Sequence, residues 1–160
     1  MTLKFLQIII LLLPFLAFSQ KTGKVVGIKD GDTIIVLLED KTQKTLRLAE
    51  VDCPESGQAF GKNSKQFTSD QVFRKEICFE ETDTDRYGRT VAKVYYDEDG
   101  KYLSEEIIKN GFGWWYHFYS DDEDLGKLQE EAQKNKLGLW QDPSVISPWD
   151  FRKNKRNEHE

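Results

Sequence analysis

Three short clusters of acids and arginines carry side chains that could act on a phosphodiester. They are residues 30–33 (Asp-Gly-Asp-Thr), residues 47–55 (Arg-Leu-Ala-Glu-Val-Asp-Cys-Pro-Glu) and residues 85–89 (Asp-Arg-Tyr-Gly-Arg). Each cluster lies at the end of a predicted β-strand. Carboxylates are hard oxygen ligands for a cation, and planar guanidinium groups bind phosphate oxygens in pairs. The combination therefore indicates phosphodiester hydrolysis, in which negative charge builds on phosphorus.

The second cluster predicts a strand that ends in a rigid turn. Pro54 fixes its own φ and favours an extended conformation at Cys53. Along one straight strand, Arg47 and Asp52 would lie roughly 16 Å apart at the backbone, and the long arginine side chain would have to shorten that gap.

Each cluster alone has an ordinary structural interpretation. Asp-Gly-Asp is more often a turn than a metal site, and residues 30–33 lack the spacing of an EF-hand. Asp52 can form an Asx-turn, and Arg89 can be a solvated turn cation. Only the three clusters together make the prediction specific.

Other hydrolytic chemistries do not fit. The chain has two histidines and two cysteines, at spacings that make no zinc site. It contains neither a G-x-S-x-G turn nor a phosphate-binding G-x-x-x-x-G-K. The remaining candidates are acids and arginines.

The length and charge of the chain limit its class. Its 160 residues suit one domain with a sizeable core, and its net charge is −5. An acidic protein is poorly suited to nonspecific binding of nucleic acid. Any phosphate binding must therefore be local and metal-assisted.

The first 19 residues have the pattern of a secretory signal peptide. Lys4 is their only charge, an apolar run covers residues 8–13, and small residues precede a cut after Ser19. We therefore expect a secreted or periplasmic protein. An uncleaved N-terminal anchor is the alternative, although the apolar run is short for a membrane span of about 20 residues.

Short strands joined by tight turns predict a small barrel, followed by helices. The residues from 142 to 160 are expected to form an extended, charged tail. Strands are predicted over residues 24–29, 33–38, 44–51, 76–81 and 90–96, and helices over residues 61–75, around 103–108 and over 121–136.

Two features stay open at this level. Cys53 and Cys78 could pair in an oxidising compartment, or they could be separate small residues in the turn and the core. Trp114 and Trp115 belong to an aromatic run over residues 112–119, where they could stack on bases or pack in the core.

The three clusters, in this order, resemble the thermonuclease (micrococcal or staphylococcal nuclease) family. The resemblance runs from about residue 24 to residue 140. It implies an α+β fold, a five-stranded OB-fold β-barrel with three α-helices, as one domain over residues 20–141. It also implies calcium-dependent cleavage of DNA and RNA by a monomer with no stable protein partner and no membrane span after signal removal.

The resemblance assigns roles to individual residues. Asp32 and Asp52 would supply carboxylates to Ca²⁺, and Cys53 would supply its backbone carbonyl. The contact at Cys53 is through the backbone, so the threonine that the family's prototype has there is not required.

The same motifs imply the catalytic groups. Glu55 would orient or deprotonate the attacking water, while Arg47 and Arg89 would hold the phosphate. Tyr87 falls where the family has a tyrosine near the substrate, and Tyr119 lies where the family stacks bases.

This chain departs from the family pattern in two further ways. Glu50 is an acid where an apolar or small residue is usual, and the whole chain is acidic where the prototype is basic. A noncatalytic OB-fold binding module is the alternative function. The full set of two carboxylate ligands, two arginines and Glu55 favours an enzyme.

Overall fold

The computed structural model describes residues 20–158. The predicted signal peptide over residues 1–19 lies outside these described residues. The described part of the chain contains eight strands: β1 Lys21–Asp30, β2 Thr33–Leu37, β3 Gln43–Leu48, β4 Val51–Asp52, β5 Glu76–Thr84, β6 Thr90–Tyr96, β7 Lys101–Tyr102 and β8 Trp114–Trp115. The helices are α1 Gly61–Val72, α2 Leu103–Lys109, α3 Glu123–Lys134 and α4 Pro148–Asn157, with 3₁₀ turns at His117–Tyr119 and Gly138–Gln141.

Five of the strands close into a barrel. Antiparallel pairing gives the order β3-β2-β1-β5-β6, and β3 then pairs with β6 in parallel, with Leu46 opposite Thr90 and Leu48 opposite Ala92. Closure leaves these strands without a free edge between β3 and β6. The predicted α+β fold with a five-stranded OB-fold barrel is confirmed.

The barrel is filled by aliphatic and aromatic side chains of the strands. Val25, Ile34, Leu46 and Phe79 are fully buried, and Ile107 of α2 belongs to the same hydrophobic core. Burying one such side chain stabilises the fold by about 1.5–3 kcal/mol. This rigid core holds the strand ends that carry the candidate site residues.

The strand predicted over residues 44–51 is interrupted. β3 ends at Leu48, and Glu50 adopts a left-handed backbone conformation with φ of 65°. The Glu50 carboxylate stabilises this turn, since it accepts hydrogen bonds from Tyr102 at 2.8 Å and Ser120 at 3.1 Å. The chain therefore bends before Asp52, Arg47 Nη2 contacts Asp52 Oδ1 at 3.0 Å, and the prediction of one straight strand with a separation of roughly 16 Å is wrong.

The C-terminal segment is also different from the prediction. Three helices were expected, but the described residues contain four α-helices, because residues 148–157 form α4 and not an extended tail. The Ser147 hydroxyl caps α4 by accepting a hydrogen bond from the Asp150 N–H, and Pro148 occupies the first turn. Gln58 donates from Nε2 to the Ile146 carbonyl at 2.7 Å, which ties the segment before α4 to the loop between β4 and α1.

The open questions about cysteines and tryptophans are answered by packing. Cys53 and Cys78 are both free, and Cys53 is buried. Trp114 is buried with its ring 5.0 Å from that of Trp140, and Trp115 packs against the hydrophobic core. Trp114 is therefore a core residue, and Trp115 is partly buried at the edge of the core. Within residues 20–158, no helix is long and apolar enough to cross a membrane.

Candidate active site

The predicted site residues all line one cleft. The cleft has a volume of about 1070 Å³ and lies between the β1–β2 and β5–β6 turns, the segment after β4, and α4. The eight predicted residues that line it are Asp32, Arg47, Asp52, Cys53, Glu55, Tyr87, Arg89 and Tyr119.

Asp32 is positioned by a two-residue hairpin turn. Asp30 pairs with Thr33 across this turn, and the backbone at Gly31 passes so close to Cys53 that an added Cβ would meet Cys53 Cβ at 2.8 Å. Asp32 Oδ2 accepts a hydrogen bond from the Cys53 N–H at 2.8 Å, and Oδ1 accepts one from the Thr33 hydroxyl at 3.1 Å. The hairpin and the turn after β4 therefore fix each other.

Arg47 lies between the two candidate metal carboxylates. Its Nη2 is 3.3 Å from Asp32 Oδ2 and 3.0 Å from Asp52 Oδ1. Its Nη1 donates to the carbonyls of Leu48 at 2.7 Å and Val51 at 2.8 Å. Burial disfavours the charge of the Arg47 guanidinium, but the two carboxylates more than compensate and raise its pKa. Arg47 is therefore a structural centre of the site as well as a cation in the cleft.

The cleft gathers carboxylates in a partly dry environment. Burial, together with the neighbouring Asp32 charge, raises the pKa of Asp30 to about 6. Burial also raises the pKa of Asp52, although hydrogen bonds from Arg152 and the charge of Arg47 act in the opposite direction. Both raised pKa values mean that burial disfavours the negative charge of these carboxylates, and that an additional cation in the cleft would stabilise it.

The chemistry of the donors fits a hard cation. A single guanidinium nitrogen contacts both Asp32 and Asp52, so both carboxylates are within reach of one positive centre. Within residues 20–158, no group of three or more His, Cys, Asp or Glu side chains is arranged as a metal site. An ion held by two carboxylates must therefore take its other ligands from carbonyl oxygens, water or substrate, which is common for calcium.

Glu55 follows the rigid Cys53–Pro54 segment and reaches the cleft. Its Oε1 accepts a hydrogen bond from Arg152 Nη1 at 2.8 Å, and its side chain remains 41% exposed. The backbone N–H of Glu55 donates to Gln58 Oε1 at 3.2 Å. The carboxylate is thus positioned by α4 but remains accessible to water.

Arg89 is oriented by the turn between β5 and β6. Asp85 Oδ1 accepts the N–H groups of Tyr87 and Arg89, each at 2.9 Å, and Asp85 Oδ2 accepts Arg89 Nε at 2.6 Å. Arg89 Nη1 is 3.5 Å from the Thr33 hydroxyl, so the side chain points toward the Asp32 hairpin. The Arg89 side chain is 33% exposed, which leaves it available to an anion.

Two aromatic side chains are exposed at the cleft. Tyr87 is 69% exposed, with the guanidinium groups of Arg86 and Arg89 over its ring at 4.9 and 5.5 Å. Tyr119 is 73% exposed, with its ring 5.0 Å from that of Tyr116. Exposed aromatic rings of this kind can stack on nucleobases.

Sequence reasoning missed the contribution of α4. Arg152 Nη1 is 3.3 Å from Asp52 Oδ1 and Nη2 is 2.7 Å from Asp52 Oδ2, and Lys155 also lines the cleft. The available signal was Ser147 followed by Pro148 and Asp150, a pattern typical of a helix start. The prediction of an extended, charged tail over residues 142–160 did not use this signal.

Comparisons with known proteins cover most of the chain. A family model described as staphylococcal nuclease homologue matches residues 45–142. A protein of Shigella flexneri named micrococcal nuclease is 37% identical, over 93% of this chain and 90% of that protein.

Two further relatives are of similar length. Protein ParB of Escherichia coli is 35% identical, over 90% of this chain and 86% of its own length. An uncharacterised endonuclease of Haemophilus influenzae is 39% identical, over 86% of this chain and 76% of its own length.

Proposed function

The chain belongs to the staphylococcal nuclease family, and we propose that it is a calcium-dependent nuclease that hydrolyses phosphodiester bonds of both DNA and RNA. Its relatives make it a staphylococcal-nuclease-like hydrolase whose substrates are nucleic acids. The observation that carries the finer proposal is the bridge by Arg47 between Asp32 and Asp52, in a cleft that also contains Glu55 and Arg89.

Asp32 and Asp52, with the carbonyl of Cys53, would hold the calcium ion. When bound there, calcium would polarise a phosphate oxygen and lower the pKa of a water ligand. The family-based assignment of these ligands agrees with the short contact between Asp32 and the Cys53 backbone.

The arginines bind and orient the phosphate. Arg89 is partly exposed and held by Asp85, so its remaining N–H groups can donate to a nonbridging oxygen as charge builds there. The guanidinium of Arg47 is held by the Leu48 and Val51 carbonyls. Its positive charge therefore has a fixed position beside the two carboxylates, where it stabilises the negative charge that builds on the phosphate.

Glu55 accepts a proton from the attacking water. A carboxylate can do so when it is positioned but still accessible, and Glu55 meets both conditions through Arg152 and its exposed side chain. Tyr87 and Tyr119 are available beside it to bind the substrate.

Purified protein incubated with single-stranded DNA and with RNA tests this proposal. We expect cleavage of both in calcium, and none after addition of excess chelator. Asp32→Asn should abolish calcium-dependent cleavage, whereas Asp83→Asn, which changes another acid at the cleft, should retain it. Undiminished cleavage in chelator would refute the metal dependence, and binding without cleavage would identify a noncatalytic binding module.

We further propose that residues 1–19 are a signal peptide and that the mature protein acts, as a monomer, outside the cytoplasm. Expression of the full chain with analysis of the N-terminus tests the first point, with Gln20 expected as the first residue. An intact N-terminus in the membrane fraction would instead support the anchor. Light scattering of the purified protein tests the monomeric state.

A further inference from the structure

Helix α4 presents two cations to the cleft. Phe151, Arg152 and Lys155 all line it, and positions three and four residues apart lie on one face of a helix. Lys153 and Arg156 belong to the same helix but do not line the cleft. The helix therefore has a basic face directed at the site and a basic face directed away from it.

Contacts at several positions hold α4 in place. The Trp149 ring stacks on Tyr116, with centroids 5.9 Å apart and an interplanar angle of 15°. Arg152 makes ion pairs with Asp52 at 2.7 Å and with Glu55 at 2.8 Å. A helix anchored by an aromatic stack and by ion pairs presents its next turn to the cleft in a defined position.

The charge of the cleft makes this helix important for an anionic substrate. Seven carboxylates and six cations line the cleft, and α4 supplies two of the six cations. Four of the six form ion pairs with neighbouring acids and are therefore partly compensated within the protein, namely Arg47, Arg89, Lys93 and Arg152. Within residues 20–158 the ion pairs of α4 are made by Arg152, and Lys155 makes none.

We propose that α4 is a substrate-binding wall, in which Lys155 binds a phosphate of single-stranded nucleic acid next to the phosphate that reacts. Arg152 is a positioning residue, because it fixes the helix against Asp52 and Glu55. Lys155 lies one helical turn further, roughly 5–6 Å between Cβ atoms. This inference rests on the proposed function, since it extends the same cleft along the same substrate.

The proposed role of α4 is tested by the binding of a fluorescent single-stranded DNA oligonucleotide, measured by anisotropy. Excess chelator is present so that the oligonucleotide is bound but not cleaved. The variant is Lys155→Gln, and the matched control is Lys153→Gln, which makes the same charge change on the same helix outside the cleft. We expect Lys155→Gln to weaken binding several-fold at low salt. It should also reduce the slope of log affinity against log salt by about 0.7, the value for one phosphate contact to a single strand. Lys153→Gln should retain the wild-type slope.

The outcomes separate this inference from the proposed function. Three results would each contradict the proposed role of α4 in substrate binding: equal affinity and slope for the two variants, tighter binding by Lys155→Gln, or no binding by the wild type at low salt. A wild type that cleaves DNA while Lys155→Gln behaves like its control would refute the wall alone. A wild type that binds through Lys155 but never cleaves would support the wall and refute the nuclease activity.

Discussion

Arg152 Nη2 lies 2.7 Å from Asp52 Oδ2, although 100 residues separate them along the chain. The second amino group of Arg152 is 3.3 Å from Asp52 Oδ1, so the guanidinium contacts both oxygens of one carboxylate. The Asp52 side chain is only 2% exposed, and such a buried charge requires compensation. The C-terminal helix is therefore part of the electrostatic structure of the site.

Arg152→Gln should destabilise the protein measured in excess chelator. Charge-assisted hydrogen bonds are worth about 1.5–3 kcal/mol each, but the Arg152 side chain is 35% exposed and Asp52 keeps its contact with Arg47. We therefore expect a loss of about 1–2 kcal/mol in the free energy of unfolding, by urea denaturation. Lys153→Gln is the control, and an equal effect of the two variants would contradict the role of the pair.

The sequence predicted the barrel because its strands carry β-branched, apolar residues between clear turn signals. The residues that it selected from the three clusters as site candidates all line one cleft, and their roles there stay a prediction. Their family resemblance assigned roles that spacing alone could not.

Two features depend on contacts between distant residues and were therefore missed. The bend at Glu50 places a non-glycine residue at a φ of 65°, and its stabilising partners Tyr102 and Ser120 come from segments far along the chain. The position of α4 depends on the pairing of Arg152 with Asp52 and Glu55. Local patterns contain no information about such pairs.

Arg89→Lys and Arg47→Lys should differ in stability while both lose activity. Lysine cannot reproduce the paired donors of a guanidinium, so each variant should lose on the order of 10²-fold or more in turnover. Arg47 also donates to two backbone carbonyls, and its loss should cost about 2 kcal/mol or more in unfolding free energy. The more exposed Arg89 should cost under about 1 kcal/mol. Near-normal turnover of either variant on a defined oligonucleotide would remove that arginine from the mechanism.

Asp85→Asn should make the free energy of unfolding vary less with pH in the acid range. Burial opposes the charge of Asp85, but hydrogen bonds from the backbone and side chain of Arg89 and from the Tyr87 N–H lower its pKa below the ordinary 3.8. A lowered pKa in the folded state means that the carboxylate stabilises the protein above its ordinary pKa, and that this stabilisation disappears as the pH falls through the folded value.

We therefore expect Asp85→Asn to lose about 1 kcal/mol in unfolding free energy at neutral pH, and progressively less as the pH falls below 3.8. Urea denaturation across that pH range provides the measurement, with the exposed Asp121→Asn as control. A difference from wild type that is constant with pH would show that the Asp85 charge is not what orients the turn.

Glu55→Gln distinguishes a proton acceptor from a calcium ligand. The substitution keeps the side-chain volume, and the side chain is 41% exposed, so the loss of its pair with Arg152 should change stability little. A positioned proton acceptor contributes typically about 10²–10⁴-fold to the rate, and the rate at saturating calcium should fall by that factor.

Glu98→Gln, at an exposed position outside the cleft, is the control. A rate restored by more calcium would make Glu55 a metal ligand. A wild-type rate at every calcium concentration would remove Glu55 from the mechanism, because an accessible carboxylate that accepts no proton and binds no metal has no chemical role in this cleft.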